Sequence, residues 1–280
     1  MEQRPPALID LQRVSVMRGR HLALRDVTLR IEDGERVAIL GPNGSGKSTL
    51  IKTITRECYP LARAGSHLSI FGLERWNVFE LRTLLGIVSN DLAAAQRENT
   101  SGLEVVLSGF FASVGVGARV EISREMRARA LHALERLDAG HLAARPLGEM
   151  SSGEGRRVLI ARALVHEPRA LLFDEPSTSL DLRAQRELRS VMSALARSGL
   201  GIVLVTHQLA DVVPEIDRVV LLSAGGIAAD GPKTAMLTEQ RMSELFGVEV
   251  QMLERDGSYR LWDRLDQITE RLAGKRENQR

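Results

Sequence analysis

Two rhythms of apolar and polar positions run along this chain. Leu8-Ile9-Asp10-Leu11, Val14-Ser15-Val16 and Val27-Thr28-Leu29-Arg30-Ile31 are β-rich runs, several alternating with period two, and predict antiparallel strands over residues 7–40. Asp33-Gly34 supplies the turn into Arg36-Val37-Ala38-Ile39-Leu40, a short buried strand. Leu68-Ser69-Ile70-Phe71 is a further strand-like piece. The rhythm then changes. Leu103 to Phe111 is apolar and helical in character and ends in Val114-Gly115-Val116-Gly117. Met126, Ala130, Leu131, Leu134 and Leu137 recur at helical spacing among Arg and Glu. Roughly 86–150 is therefore expected to be an inserted helical subdomain.

Past this insertion, helices and strands alternate. Ser151-Ser152-Gly153 precedes a helix running to about His166, with Pro168 beyond its end. Ala170-Leu171-Leu172-Phe173 is an apolar strand closed by Asp174-Glu175. Asp181 to Arg197 is predicted helical, with Leu182, Leu188, Val191, Met192 and Leu195 on its apolar face and Gly199 as its stop. Gly201 to His207 is another buried strand. Continuously apolar strands separated by helices imply a parallel sheet covered on both faces. The expected fold is thus α/β, with a mainly parallel sheet, an N-terminal antiparallel β-subdomain and the helical insertion. Its chemistry should lie at the carboxyl ends of the strands. The main domain is expected over 7–232 and an extension over 233–270. In that extension Val248 to Leu253 and Ser258 to Trp262 form a hairpin around Asp256-Gly257. The charged stretch 271–280 is expected to fray.

Composition narrows the class. The chain has 280 residues, 44% apolar and 26% charged, the proportions of a soluble globular protein. A net charge of +2, with both signs mixed, argues against a nucleic-acid or polybasic membrane surface. One cysteine, Cys58, cannot form an intrachain disulfide and fits a reducing compartment. Met1 to Asp10 lacks the apolar run of a signal peptide, and no apolar run approaches a membrane span. A cytosolic location is expected.

The chemistry begins at Gly41-Pro42-Asn43-Gly44-Ser45-Gly46-Lys47-Ser48-Thr49, which fits the phosphate-cradling pattern G-x-x-x-x-G-K-[ST]. It sits where that pattern must sit, between the strand Arg36–Leu40 and a helix continuing from Leu50 to Arg56. Glycines let backbone N–H groups converge on a phosphate, and the helix start adds partial positive charge. Lys47 would reach the β- and γ-phosphates, and Ser48 would offer its hydroxyl to Mg²⁺. Asp174 ends a hydrophobic strand, where such a site needs a carboxylate for the same ion. Glu175, on the other side of the chain, would act as general base for an attacking water. His207 ends a strand and would hydrogen-bond the γ-phosphate. Two adjacent acids alone are more often a solvated turn, and a lone strand-end histidine is more often structural. Their joint occurrence in this order outweighs both.

Over about residues 7–232 the sequence resembles the ATP-binding cassette (ABC) ATPases. The resemblance is carried by Gly41–Thr49, by Leu171-Leu172-Phe173-Asp174-Glu175, by Ser179-Leu180-Asp181 as the D-loop and by His207 as the switch histidine. Ser151-Ser152-Gly153-Glu154-Gly155, followed by Arg156-Arg157 and Ile160-Ala161-Arg162-Ala163-Leu164, resembles the family's own signature region. The resemblance implies a head-to-tail pair of cassettes, this chain with itself or with a second ABC ATPase, burying ATP and Mg²⁺ between them. Ser152 and Gly153 of one cassette would complete the P-loop of the other, and Asp181 of the D-loop counts among the nucleotide-binding residues. A serine hydroxyl and free N–H groups at a helix start suit a phosphate on physical grounds as well.

Three positions depart from the family pattern. Glu154 and Gly155 replace the last two residues of the signature, and Glu154 should point away from the phosphate. The adenine-stacking aromatic falls near Arg18, whose guanidinium can also stack. The Q-loop glutamine aligns with Asn90, which has the same amide but one fewer methylene, so Asn90 is the candidate for contact with Mg²⁺ or water and Gln96 a substitute. The segment 91–120 is where such proteins meet a transmembrane permease. The stretch from Leu237 to Val250 resembles the ending of importer ATPases for iron–siderophore, cobalamin and molybdate-type cargo. These likenesses imply a subunit on the inner face of the membrane, serving permease subunits and, indirectly, a substrate-binding protein. The alternatives are a soluble cassette ATPase acting on ribosomes or nucleic acid, and an exporter subunit. No direct nucleic-acid contact is expected.

Overall fold

In a computed structural model, residues 6–95, 97–113, 115 and 121–263 are described. Gln96, Val114, Val116, Gly117 and the stretch 271–280 lie outside them. The first layer is a small antiparallel sheet of β1 (Ile9–Arg18), β2 (His21–Ile31) and β4 (His67–Ile70), in the order β2-β1-β4. Between β2 and β4 come β3 (Arg36–Leu40) and α1 (Lys47–Ile54).

The main sheet has six strands. β5 (Leu85–Ser89), β6 (Ala170–Asp174), β7 (Gly201–Thr206), β3 and β8 (Arg218–Ser223) run parallel in that order, and β9 (Gly226–Pro232) closes the edge antiparallel to β8. The period-two pleat divides the strands' side chains between two cores. Ala38, Leu40, Leu171, Phe173, Ile202 and Leu204 face the core built by helices. Val37, Ile39, Leu172, Val203 and Val205 face the core shared with α1 and the antiparallel sheet. Burial on both faces is why these strands read as unbroken apolar runs.

α2 (Val78–Leu84) packs Leu81 into the core shared with α1, and the helical layer comprises α3 (Asn90–Ala95), α4 (Gly102–Leu107), α5 (Arg124–Glu135), α6 (Ser152–Leu164) and α7 (Leu182–Arg197). Ser101 and Ser123 cap α4 and α5 through their hydroxyls, fixing where each helix begins. Two expectations need correction. The helical insertion does not begin at 86, because Leu85–Ser89 pairs in parallel with Ala170–Asp174 as the edge of the main sheet; the helices begin at Asn90. Leu182 is not on the apolar face of α7 but 81% exposed. It lies two residues, about 200° of helical rotation, from Ala184, where the buried stripe Ala184, Leu188, Met192 and Leu195 starts.

The chain ends with α8 (Lys233–Met236), α9 (Glu239–Phe246) and a hairpin of β10 (Val250–Arg255) and β11 (Ser258–Asp263). Asp256 and Gly257 both adopt positive φ, the backbone of a tight two-residue hairpin turn. Met236, Leu237, Met242, Leu245, Val250 and Tyr259 join the helical core. Among the described residues no helix is long and apolar enough to cross a membrane.

Candidate functional site

Four neighbouring parallel strands deliver their carboxyl ends to one level. In register, Leu40 lies beside Thr206, Asp174 beside Val205 and Ser89 beside Asp174. The next residues are therefore brought together: the loop from Gly41, Glu175, His207 and Asn90. The loop turns tightly into α1. A Cβ on Gly41 would lie 2.3 Å from the Leu222 carbonyl oxygen, and Gly46 has φ +108° with the Ala23 carbonyl 2.9 Å from where its Cβ would be. Only glycine fits either position. Gly46 caps α1 without a side chain, so the first helical N–H groups remain available to an anion.

A cleft of about 590 Å³ opens above this loop, lined by Asn43, Gly44, Gly46, Lys47, Ser48 and Thr49. Arg18 and Ala23 lie on its wall, as do Asn90, Glu175, Thr178 and His207. Lys47 is buried; its ammonium donates to the carbonyls of Gly41 (2.8 Å) and Pro42 (3.1 Å) and pairs with Glu175 Oε1 at 3.3 Å. Arg18 is anchored by a contact from Nη1 to Cys58 Sγ at 3.3 Å.

Glu175 leaves the strand with φ +45°, a conformation a non-glycine residue keeps only when its surroundings impose it. Its N–H bonds to the Val205 carbonyl at 2.8 Å. Its Oε2 lies 2.7 Å from His207 Nδ1 and accepts from the His207 N–H at 3.3 Å. That pairing gives Nδ1 the ring proton and leaves Nε2 free for a ligand.

Asp174 lines an adjoining cleft of about 490 Å³ together with Ser48, Asn90 and Asp91. Burial pushes its carboxyl up to about 6, helped by Glu175 and Asp91 and opposed by Lys47 and Lys52. Crowded, partly dehydrated oxygen donors of this kind suit a hard divalent cation. Among the described residues no three His, Cys, Asp or Glu side chains form a metal cage. A cation here would draw the rest of its shell from phosphates and water, as Mg²⁺ commonly does.

Asn90 is brought to the site, but its oxygen is already used. Nδ2 donates to the Glu175 carbonyl at 3.2 Å, and Oδ1 accepts a short hydrogen bond from Arg156 Nη2. A metal contact through Oδ1 would have to displace this guanidinium; in this structure Asn90 joins the Glu175 backbone to Arg156. Arg156 is buried on α6, a helix whose turns from Val158 to Leu164 are buried on every side. The sequence places Arg156 in the signature region, but its bond to Asn90 joins residues 66 apart and carries no local signal.

Ser152, Gly153 and Asp181 do not line the P-loop cleft of their own chain. Ser151 is the helix cap, with its hydroxyl accepting from the Glu154 N–H. Glu154 folds back to the Ser151 N–H at 2.8 Å, closing a capping box at the helix start, and pairs with Arg145 at 3.2 Å. Ser152 and Gly153 are the first two helical residues. Gly153 packs so closely on Ala184 that a Cβ would lie 2.9 Å from that residue's own, and Asp181 caps α7 through the Ala184 N–H at 2.7 Å. The two helix starts therefore form one surface. A buried network also escaped the sequence: Asp211 Oδ2 accepts from Ser177 (2.6 Å) and lies 3.2 Å from Thr206 Oγ1, which is 3.3 Å from Glu175 Oε2.

Comparison with known proteins agrees with this geometry. The sequence model of the ABC transporter family matches residues 24–178. The hemin import ATP-binding protein HmuV of Hahella chejuensis is 33% identical over 247 residues, 86% of this chain and 93% of that protein. The molybdenum import ATP-binding protein ModC of Mycobacterium tuberculosis is 37% identical over 241 residues, 82% of this chain and 62% of its own length. Among solved structures, the dimeric post-hydrolysis state of the cassette MJ0796, bound to ADP and Pi, superposes with a TM-score of 0.66 at 26% identity, covering 80% of this chain and 98% of that one. A P-loop facing a carboxylate pair and a strand-end histidine, in a chain matched at this length, has one family reading: this protein belongs to the ABC transporter family, as one of its ATP-hydrolysing cassettes.

Proposed function

We propose that this chain powers import across a membrane, bound to permease subunits on the inner face, with a metal chelate, haem-like molecule or oxyanion as cargo. The import-type names of its relatives support the direction. The convergence of Lys47, Asp174, Glu175 and His207 at the carboxyl ends of β3, β6 and β7 carries the enzymatic part. ATP lies along Gly41–Thr49, its phosphates meeting the N–H groups at the start of α1, with the adenine near Arg18. Ser48 and Asp174 would hold Mg²⁺, which would neutralise charge on the phosphates. Lys47 exchanges its carbonyl partners for phosphate oxygens and leaves Glu175 free. Glu175 takes the proton of the attacking water, while His207 is held by that carboxylate with Nε2 available to the γ-phosphate. Asn90 ties the Glu175 backbone to Arg156 on α6. Two cassettes pair head to tail, and the joint surface of Ser152, Gly153 and Asp181 covers the partner's nucleotide.

Glu175→Gln tests the assignment. It keeps the shape and removes the base, so ATP binding should persist while turnover falls by about 10²–10⁴, the usual contribution of a general base. Size-exclusion chromatography with Mg²⁺-ATP should show a stable dimer of the variant. Wild-type turnover in Glu175→Gln would end the base assignment. Affinity purification from native membranes should recover a multi-span permease; ribosomal or nucleoid proteins without one would end the transport reading.

A further inference from the structure

The buried network behind Glu175 has a proton shortage. Asp211 is fully buried, and its Oδ1 has no hydrogen-bond partner among the described residues. All its hydrogen bonding runs through Oδ2, to Ser177 Oγ at 2.6 Å and Thr206 Oγ1 at 3.2 Å. Thr206 is also fully buried, so no bulk water can relieve the competition at its hydroxyl. That oxygen already accepts the Gln208 N–H at 3.0 Å. It has a single proton to give, and two carboxylate oxygens lie within reach: Asp211 Oδ2 at 3.2 Å and Glu175 Oε2 at 3.3 Å. Whichever carboxylate receives the proton becomes the weaker base, because a hydrogen bond to the charged form stabilises it.

We propose that Asp211 is a positioning residue for hydrolysis: it draws the Thr206 hydroxyl proton away from Glu175 and so keeps that carboxylate free to receive the proton of water. Ser177 lies two residues beyond Glu175, so its bond to Asp211 also braces the loop that holds Glu175 in its left-handed conformation. Asp211 touches neither the P-loop nor the clefts that a nucleotide would enter. Its effect is confined to the chemical step. The proposal rests on Glu175 being the base.

Asp211→Asn separates the possibilities. With its nitrogen at the Oδ2 position, the amide donates one N–H to Ser177 Oγ and the other to Thr206 Oγ1, which commits the threonine proton to Glu175. The kcat of ATP hydrolysis should fall about tenfold with KM for ATP within about twofold, the signature of an interaction that matters only in the transition state. The loss should depend on Thr206: adding Asp211→Asn to Thr206→Val should cost nothing further, since no contested proton remains. An unchanged kcat in Asp211→Asn, or the same tenfold loss in the Thr206→Val background, would overturn the proposal. Glu175→Gln run alongside keeps the two readings apart. If that variant hydrolyses ATP normally, the base assignment is at fault; if it is inactive and Asp211→Asn is normal, only the role of Asp211 fails.

Discussion

At the scale of single residues, Asp174 gives the clearest pH signature. Burial first, then Glu175 and Asp91, raise its carboxyl from an ordinary 3.8 to about 6. The folded chain therefore holds this proton more tightly than the unfolded chain. Its contribution to stability is fully present below about 3.8 and is lost as pH rises through about 6. Cation binding has the opposite sign, because it needs the ionised form. Mg²⁺-ATP affinity, measured by calorimetry, should strengthen between pH 5 and 7 by more than the nucleotide's own titration explains, and Asp174→Asn should remove the excess. The P-loop, Asp174, Glu175 and His207 were legible because each type has few uses at a strand end. Arg156, Thr206 and Asp211 were not, because their importance comes from burial and from distances under 3.5 Å across segments far apart in sequence. Asn90 falls between: its place was legible, but the use of its oxygen by Arg156 was not.

At the scale of elements, local chemistry sets the boundaries of the helical layer. Ser123 caps α5 through the Met126 N–H at 3.1 Å, far from the nucleotide cleft, so it reports on helix stability alone. Ser123→Ala should lower the unfolding free energy by about 1 kcal/mol in denaturant titration, with ATP affinity unchanged. A capping box at Ser101 and Glu104 adds the same device to α4. Strands of the main sheet were legible as apolar runs, since both their faces are covered. β5 was misplaced into the insertion because Leu85-Gly86-Ile87-Val88-Ser89 is short and follows a helix directly, leaving no turn residue to mark the change. Leu182 was misassigned for a related reason: at the first position of a helix an apolar residue has no preceding turn to fix which face it belongs to.

For the whole molecule, the sheet separates two cores of different origin. One is closed by the antiparallel strands and α1, the other by the helical insertion, α6, α7 and the C-terminal extension. The extension is thus part of the same packing that supports the catalytic strands, and Tyr259 on the hairpin is as buried as residues of the central helices. Strand β11 packs against the short helical turn Leu209–Asp211, which begins two residues after His207. That contact offers a route by which order at His207 would reach the hairpin. Deuterium should enter the backbone amides of β10 and β11 more slowly when ATP orders the histidine and the turn behind it, and the slowing should vanish on release. Unaltered exchange in the hairpin across ATP, ADP and nucleotide-free samples would show that the turn isolates the tail from the catalytic edge.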